Sequence, residues 1–273
     1  MKKFDYHGKT AVVTGASSGI GAQLTKILVE EYGVKVIGVA RNLERLNAFK
    51  NTLKNAELFT PFNFDVGSLD GFNNLTKYLN QNNLKPELVI NCAGILPHFE
   101  SFNEETDYLT VLNTNFLSVV YSAKTLLPFV KQTGGLMINV SSSSALCPFA
   151  GISMYTATKS ATQRFSESLR CENKDCRIVT VMPGFTKTDI LNKQAIPTKE
   201  AKIIDFISAS SNKVARKILK KASKNKGRIV IGKDAHFMSF LYRFFPSFAP
   251  KFITKFLKNS NFETFKDIWL HFL

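Results

Sequence analysis

No stretch of about 18 uncharged apolar residues occurs in this chain, which argues against a membrane-spanning helix. The first residues, MKKFDYHGKTAVVTG, carry two lysines but no apolar segment ahead of the first strand, so a secretory signal is not expected. Cysteine is sparse. Cys92, Cys147, Cys171 and Cys176 form no C-x-x-C pair and no histidine clusters with them, which argues against zinc and predicts a site without metal. Free thiols in an intracellular, cytoplasmic protein are the default expectation. Internal repeats and low-complexity linkers are also lacking, so 273 residues fit one large α/β domain, with or without an appendage. Acid is scarce toward the C-terminus. From Lys199 onward 16 Lys and Arg face 5 Asp and Glu, a net of +11 out of +15 for the chain. Such asymmetry fits an anionic partner or a solvated basic surface.

The segments that are present alternate between strand and helix patterns. Thr10–Val13 is a short apolar run, read as a buried strand, and Gly15, Ser17, Ser18, Gly19, Ile20 and Gly21 form a turn into an amphipathic helix ending at Gly33. Strand, glycine turn and helix together can cradle a pyrophosphate; the glycines alone are also an ordinary turn. The spacing is G-x-x-x-G-x-G rather than G-x-G-x-x-G. The second strand, 34–40, ends at Ala40-Arg41-Asn42, with Arg45 one turn on. Two guanidiniums and no acid favour a 2′-phosphate over a 2′-hydroxyl, hence NADP over NAD. A third strand at 58–64 leads to Asp65-Val66, where the acid either meets an adenine or caps the helix beginning near Ser68. A fourth, 88–90, runs into Asn91-Cys92-Ala93-Gly94. A long helix is predicted over 106–130, with Asn113 and Asn115 inside it, either bending it, bonding across to a neighbour or holding a water path. The fifth strand, 136–140, precedes four serines. The sixth, 177–181, ends in Pro183-Gly184-Phe185-Thr186-Lys187-Thr188, and a last strand, 228–231, follows a basic helix over 212–224. This alternation predicts a three-layer α/β fold with a doubly wound parallel sheet.

Tyr155 and Lys159 are four apart and share a helix face. A phenol titrates near pH ~10, and a neighbouring ammonium is expected to draw it down toward working pH. Most Tyr-x-x-x-Lys pairs are a packed ring and a solvated amine, so the rest of the chain must decide.

Taken together, TGASSGIG, the NCAG turn, the asparagine before LLP, the serine with YTATK, and PGFTKT stand in the order seen in short-chain dehydrogenases/reductases. The chain resembles that family, of hydroxysteroid-dehydrogenase-like type, over roughly 8–233. The resemblance implies a Rossmann-type sheet and gives each motif a role. Gly15, Gly19 and Gly21 would turn around the pyrophosphate; Asn91, Ala93 and Gly94 would form the family's stabilising turn, with Cys92 where Asn is more usual. Asn115, Ser142, Tyr155 and Lys159 would be catalytic, and Pro183, Gly184 and Thr188 would cover the nicotinamide. Ser118 stands where a glycine commonly follows the helix asparagine. Asn115 would hold a water linking Lys159 to solvent. Relatives of this type are commonly dimers or tetramers.

Leu96, His98, Leu146, Phe149 and Phe185, with Ser142 and Tyr155, are expected beside the substrate, together with a loop over 185–213. That lining is mostly apolar, which predicts a hydrophobic ketone or alcohol, steroid or lipid-like; reduction of 3-oxoacyl thioesters is the alternative. A non-catalytic membrane-surface or NADP-sensing protein is a reading of another class. Residues 1–233 are read as the catalytic domain and 234–273 as an amphipathic extension. In it Phe237, Phe240, Leu241, Phe244, Phe245 and Phe248 recur at helical spacing beside Arg243, Lys251, Lys255 and Lys258. It either packs as a lid, meets another subunit or touches a membrane surface; nucleic acid is not expected.

Overall fold

A computed structural model describes residues 3–96, 108–187, 199, 202–203, 206, 208–224 and 227–259. Seven parallel strands form the central sheet: β1 (Thr10–Thr14), β2 (Lys35–Ala40), β3 (Phe59–Asn63), β4 (Leu88–Asn91), β5 (Leu136–Val140), β6 (Arg177–Pro183) and β9 (Arg228–Ile231). Their order is β3-β2-β1-β4-β5-β6-β9. A short parallel pair, β7 (Thr186–Lys187) and β8 (Ala209–Ser210), lies beside it.

The strands are apolar on both faces because both faces are covered, as parallel sheets require. Alternate residues serve opposite layers. Val13, Ile90 and Ile138 pack with α1 (Gly19–Tyr32), α2 (Leu43–Lys50) and α7 (Ser211–Ala222). Val12, Val89 and Met137 pack with α3 (Leu69–Gln81) and α5 (Ser118–Gln132), and α6 (Ser153–Glu172) adds Phe165 and Leu169 to that layer. The result is the expected three-layer Rossmann-type fold. Gly33, in the left-handed region at φ 61°, ends α1 where the sequence predicts. Ser68, not Asp65, caps α3: its hydroxyl accepts from the Gly71 N–H, while Asp65 Oδ1 accepts from Gly67 N at 2.9 Å.

One departure and one expected element bear on the site. The helix predicted over 106–130 is not continuous: α4 (Tyr108–Leu112) passes through a wide turn with π-helical bonding at Asn113–Leu117 before α5, and residues 106 and 107 lie outside the described residues. At its end the Ser118 hydroxyl donates to the Thr114 carbonyl at 2.7 Å. The C-terminal segment folds into α8 (Lys233–Phe244) and α9 (Ala249–Lys258), separated by Pro246 and with Pro250 in the first turn of α9. Met238, Leu241, Ile253 and Leu257 are buried in a third apolar cluster with Cys147 and Ile152, against which Leu96, Phe149, Tyr155 and Phe185 pack. Residues 260–273 lie outside the described part.

Candidate active site

Strand order reverses between β1 and β4, and ligands of open α/β sheets bind where it does, beyond the strands' carboxyl ends. A cleft opens there. Its floor is Gly15, Ser18, Gly19, Ile20 and Gly21 after β1, then Ala93 and Gly94 after β4. Its far side is Ser142, Tyr155 and Lys159, with Pro183, Gly184, Phe185 and Thr186.

The glycine turn is closed by contact. A Cβ on Gly15, at φ 70°, would lie 3.0 Å from the Ala93 backbone, and one on Gly21 would overlap the Gly15 carbonyl. Ser18 occupies the cap position of α1 without a side-chain capping bond, so the first N–H groups of that helix remain for an anion. Ser17, half-buried, belongs to the same turn but does not line the cleft. The two halves of the floor are tied by Thr14, whose hydroxyl accepts from the N–H groups of Cys92 and Ala93, each at 3.1 Å.

β5 and α6 deliver the polar group. Ser142 lies in extended backbone just past β5; its hydroxyl accepts from Ser144 N at 3.2 Å, and it lines the cleft together with Tyr155. The neighbouring Ser141 is committed elsewhere: its hydroxyl donates to the Lys159 carbonyl at 2.7 Å. Lys159 is 4% exposed and donates from Nζ to the Val140 carbonyl at 3.3 Å, with Nζ 5.7 Å from the Tyr155 ring centre. Burial lowers the Lys159 pKa to about 8. Burial also raises that of Tyr155, against which the neighbouring Ser142 hydroxyl acts. The expectation that Lys159 draws the phenol down is therefore not met: burial is the largest cause, and the group that lowers the phenol is Ser142. Cys92, lining the same cleft, is pushed up to about 12 by burial, so its thiol stays protonated.

Asn115 sits in the wide turn before α5 and is fully buried. Its side-chain oxygen accepts from Ile95 N at 2.8 Å and its amide donates to the Ile95 carbonyl at 2.9 Å, pinning the loop that follows Gly94. Its own carbonyl accepts from Thr162 Oγ1 at 3.1 Å. A Cβ on Gly94 would lie 3.0 Å from Lys159 Nζ and 3.3 Å from Asn115 Oδ1, so these two groups flank one glycine.

Other predicted residues lie apart from the cleft. Asn91 does not line it; its amide donates to Asn139 Oδ1 at 2.7 Å, bracing β4 to β5. Leu146 turns away and packs with Met182 and Ala235, because the short turn after Ser142 points it under β6. Val66 is core, and Asp65 and Arg41 are exposed past the carboxyl ends of β3 and β2. Leu96, Phe149 and Phe185 line the cleft as expected. His98, Thr188 and most of the loop over 185–213 fall outside the described residues.

Asp234 was not anticipated. It sits in the first turn of α8, buried, and accepts from Phe185 N at 2.5 Å. Gly184 lies so close to this carboxylate that any Cβ there would overlap it. The signal in the sequence, Gly-Lys-Asp after the last strand, has no meaning until β6 and β9 are seen to be neighbours.

The sequence profile described as short chain dehydrogenase matches residues 9–199. The chain is 28% identical over 234 residues to 11-beta-hydroxysteroid dehydrogenase-like 2 of Arabidopsis thaliana, covering 82% of this chain and 73% of that one. It is 31% identical over 192 residues to 11-beta-hydroxysteroid dehydrogenase 1A of the same plant; there it covers 67% of this chain but spans only about half, 54%, of the relative. Among solved structures, L-sorbose reductase from Gluconobacter frateurii, complexed with NADPH and L-sorbose, superimposes with a TM-score of 0.70 at 22% identity, over 84% of this chain and 97% of that one. At that identity the superposition speaks for the fold, whereas the profile runs through the glycine turn, the wide turn and the Tyr155–Lys159 helix, and so the chain belongs to the short-chain dehydrogenase family of oxidoreductases.

Proposed function

We propose that this protein interconverts a ketone and a secondary alcohol on a hydrophobic, steroid-like or lipid-like substrate, with NADP(H) as cofactor. The observation that carries this reading is the convergence of Ser142, Tyr155 and buried Lys159 on one cleft that the glycine turn and Leu96, Phe149 and Phe185 also line. When bound, the nicotinamide supplies or accepts the hydride. The Gly15–Gly21 turn and the N-terminus of α1 suit its pyrophosphate, and Arg41, with no acid beside it, suits a 2′-phosphate.

The chain's own groups then have separable tasks. Ser142 and Tyr155 donate to the carbonyl oxygen where negative charge develops. Tyr155 transfers its proton to that oxygen; burial keeps the phenol protonated, which suits the reductive direction. Lys159, held by the Val140 carbonyl, keeps a positive charge beside the ring below about pH 8. Asn115 fixes the loop at Ile95, and the remaining lone pair of its carbonyl can hold a water linking Lys159 to solvent, so that the proton Tyr155 gives up is replaced from solvent through Lys159.

The apolar wall formed with α8 and α9 supports a bulky, uncharged substrate. The names of the two plant relatives agree with a steroid-like one, though they speak for those proteins alone. We read residues 1–233 as the catalytic unit and 234–273 as a lid that also makes peripheral contact with a membrane, in a homodimer or homotetramer of cytoplasmic location. No helix among the described residues is long and apolar enough to cross a membrane. The test is to follow NADPH and NADH absorbance across steroids, keto lipids and 3-oxoacyl thioesters. Tyr155→Phe is expected to lower kcat by about 10²–10⁴ while NADPH binding persists. Near-full activity in that variant would overturn the mechanism, and preference for the thioesters would overturn the substrate class.

A further inference from the structure

Helix α8 is two-faced. Asp234, Ala235, Met238 and Leu241 are buried against the body of the protein. At helical spacing, Lys233, His236, Phe237, Phe240 and Phe244 fall within one stripe on the opposite side, and all five are exposed. The first two line a second cavity, of about 440 Å³, together with Lys217, Lys220, Lys221 and Lys224 of α7 and its C-terminal turn. That volume is within the range of small-molecule sites.

Five lysines and a histidine converge there. Lys217, Lys220, Lys221 and Lys224 follow i, i+3, i+4, i+7 spacing, so α7 presents them side by side, an arrangement that is unfavourable by itself. Among the described residues none of these lysines has a carboxylate partner; Lys221 Nζ donates to the Val230 carbonyl at 3.1 Å. Asp234, the acid next to the cavity in sequence, is buried against Phe185 and Gly184 instead. The cavity is thus, among the described residues, a cationic concavity without a counter-charge. The same stripe continues into phenylalanines: Phe240 and Phe244 lie 4.8 Å apart, and on α9 Phe248 stacks on Phe252 at 5.5 Å. These rings are between 41% and 58% exposed, far more apolar surface in one place than scattered single residues provide.

We propose that this face docks on an anionic bilayer, with the lysine cavity taking a phospholipid headgroup phosphate and the phenylalanines entering the acyl boundary. The inference rests on the membrane contact proposed above and assigns it a headgroup site. Charge decides the occupant. A second copy meeting the same face across a two-fold axis would bring two uncompensated lysine clusters together, whereas anionic lipid neutralises them and basic clusters beside an aromatic helix face are suited to it. The opposite side of α8 packs through Met238 and Leu241 in the cluster that backs the cleft residues Leu96, Phe149 and Phe185, so a lipophilic substrate leaving the bilayer has a short way to travel.

The experiment is co-sedimentation of the full chain with phosphatidylcholine vesicles and with mixed phosphatidylcholine/phosphatidylglycerol vesicles. Wild type is expected to prefer the anionic vesicles. Lys217→Gln/Lys220→Gln/Lys224→Gln removes that preference, a loss of about 100-fold at roughly five-fold per lysine. Lys35→Gln/Lys54→Gln/Lys77→Gln, with the same net charge and exposed side chains far from the cavity in sequence, changes it by less than about three-fold. Phe237→Ser/Phe240→Ser/Phe244→Ser weakens binding to both vesicle types. Equal losses from the two lysine triples, or binding that depends on the phenylalanines alone, overturn the headgroup site and leave membrane contact standing. No vesicle binding, a phenylalanine-dependent dimer in its place, or tighter binding to a single-stranded oligonucleotide overturns both.

Discussion

Burial lowers the pKa of Lys159 to about 8, its ammonium donating to the Val140 carbonyl. A lysine is charged below its pKa, so activity that needs the ammonium is present below about pH 8 and lost above it. kcat/KM reports the free enzyme. For ketone reduction it is expected to fall about ten-fold per unit once pH exceeds about 8; a profile flat to pH 10 would contradict the role given to Lys159. Arg41 stands at the end of β2 with Asn42 engaged in capping α2 through Arg45 N. A charged hydrogen bond contributes about 1.5–3 kcal/mol, so Arg41→Ala should raise KM for NADPH roughly 10- to 100-fold and leave KM for NADH nearly unchanged. Equal effects on both cofactors would remove Arg41 from the 2′-phosphate site. At this scale the sequence was informative about type and silent about use. Four consecutive serines are indistinguishable by pattern; only the packing of α6 on β5 commits Ser141 to the Lys159 carbonyl and gives Ser142 to Tyr155.

Among elements, the wide turn at Asn113–Leu117 and helix α8 do most to shape the site. The wide turn was hidden because one extra residue in a turn hardly disturbs the apolar period of a 25-residue window, while it brings Asn115 to Ile95. Helix α8 reaches the cleft-lining turn through Asp234, whose carboxylate holds Phe185 N beside Gly184. Asp234→Ala frees the Pro183–Phe185 turn. The expected result is a rise of about ten-fold in KM for NADPH with a stability loss of about 1.5–3 kcal/mol in urea unfolding. Stability loss with unchanged KM would make the contact structural only. Asn91 and Leu146 illustrate the converse: one stands in the NCAG motif and the other was expected beside the substrate, yet the fold turns one toward Asn139 and the other under Met182.

For the whole molecule, the question is whether the C-terminal helices belong to one folding unit with the sheet. Leu257 is 1% exposed in the cluster shared with Cys147 and Ile152 and flanked by Tyr155. Leu257→Ala is expected to cost about 2–5 kcal/mol in a single cooperative urea transition. A second transition, or a cost under about 1 kcal/mol, would show the extension to be separate from the catalytic unit. The thiols offer an independent readout. Cys92, Cys147 and Cys176 are pushed to about 12, 11 and 11 by burial, while Cys171 is exposed. Iodoacetamide at neutral pH should label Cys171 first, and labelling of Cys92 at a similar rate would mean that the cleft floor opens.

The sequence by itself determined the strands, because apolar β-branched runs such as Leu136–Val140 and Arg228–Ile231 have few other ways to be buried. It determined the glycine turn, whose close approach tolerates no side chain, and the pairing of Tyr155 with Lys159 through helical spacing. Only the tertiary structure decided which serine joins Tyr155 in the cleft, where Asn91 and Leu146 point, that Asp234 holds the Pro183–Phe185 turn, and that α8 has one buried and one exposed face. Those outcomes depend on contacts between residues distant in sequence, such as Phe185 with Asp234. Local periodicity carries no information about such contacts; strand order and packing create them.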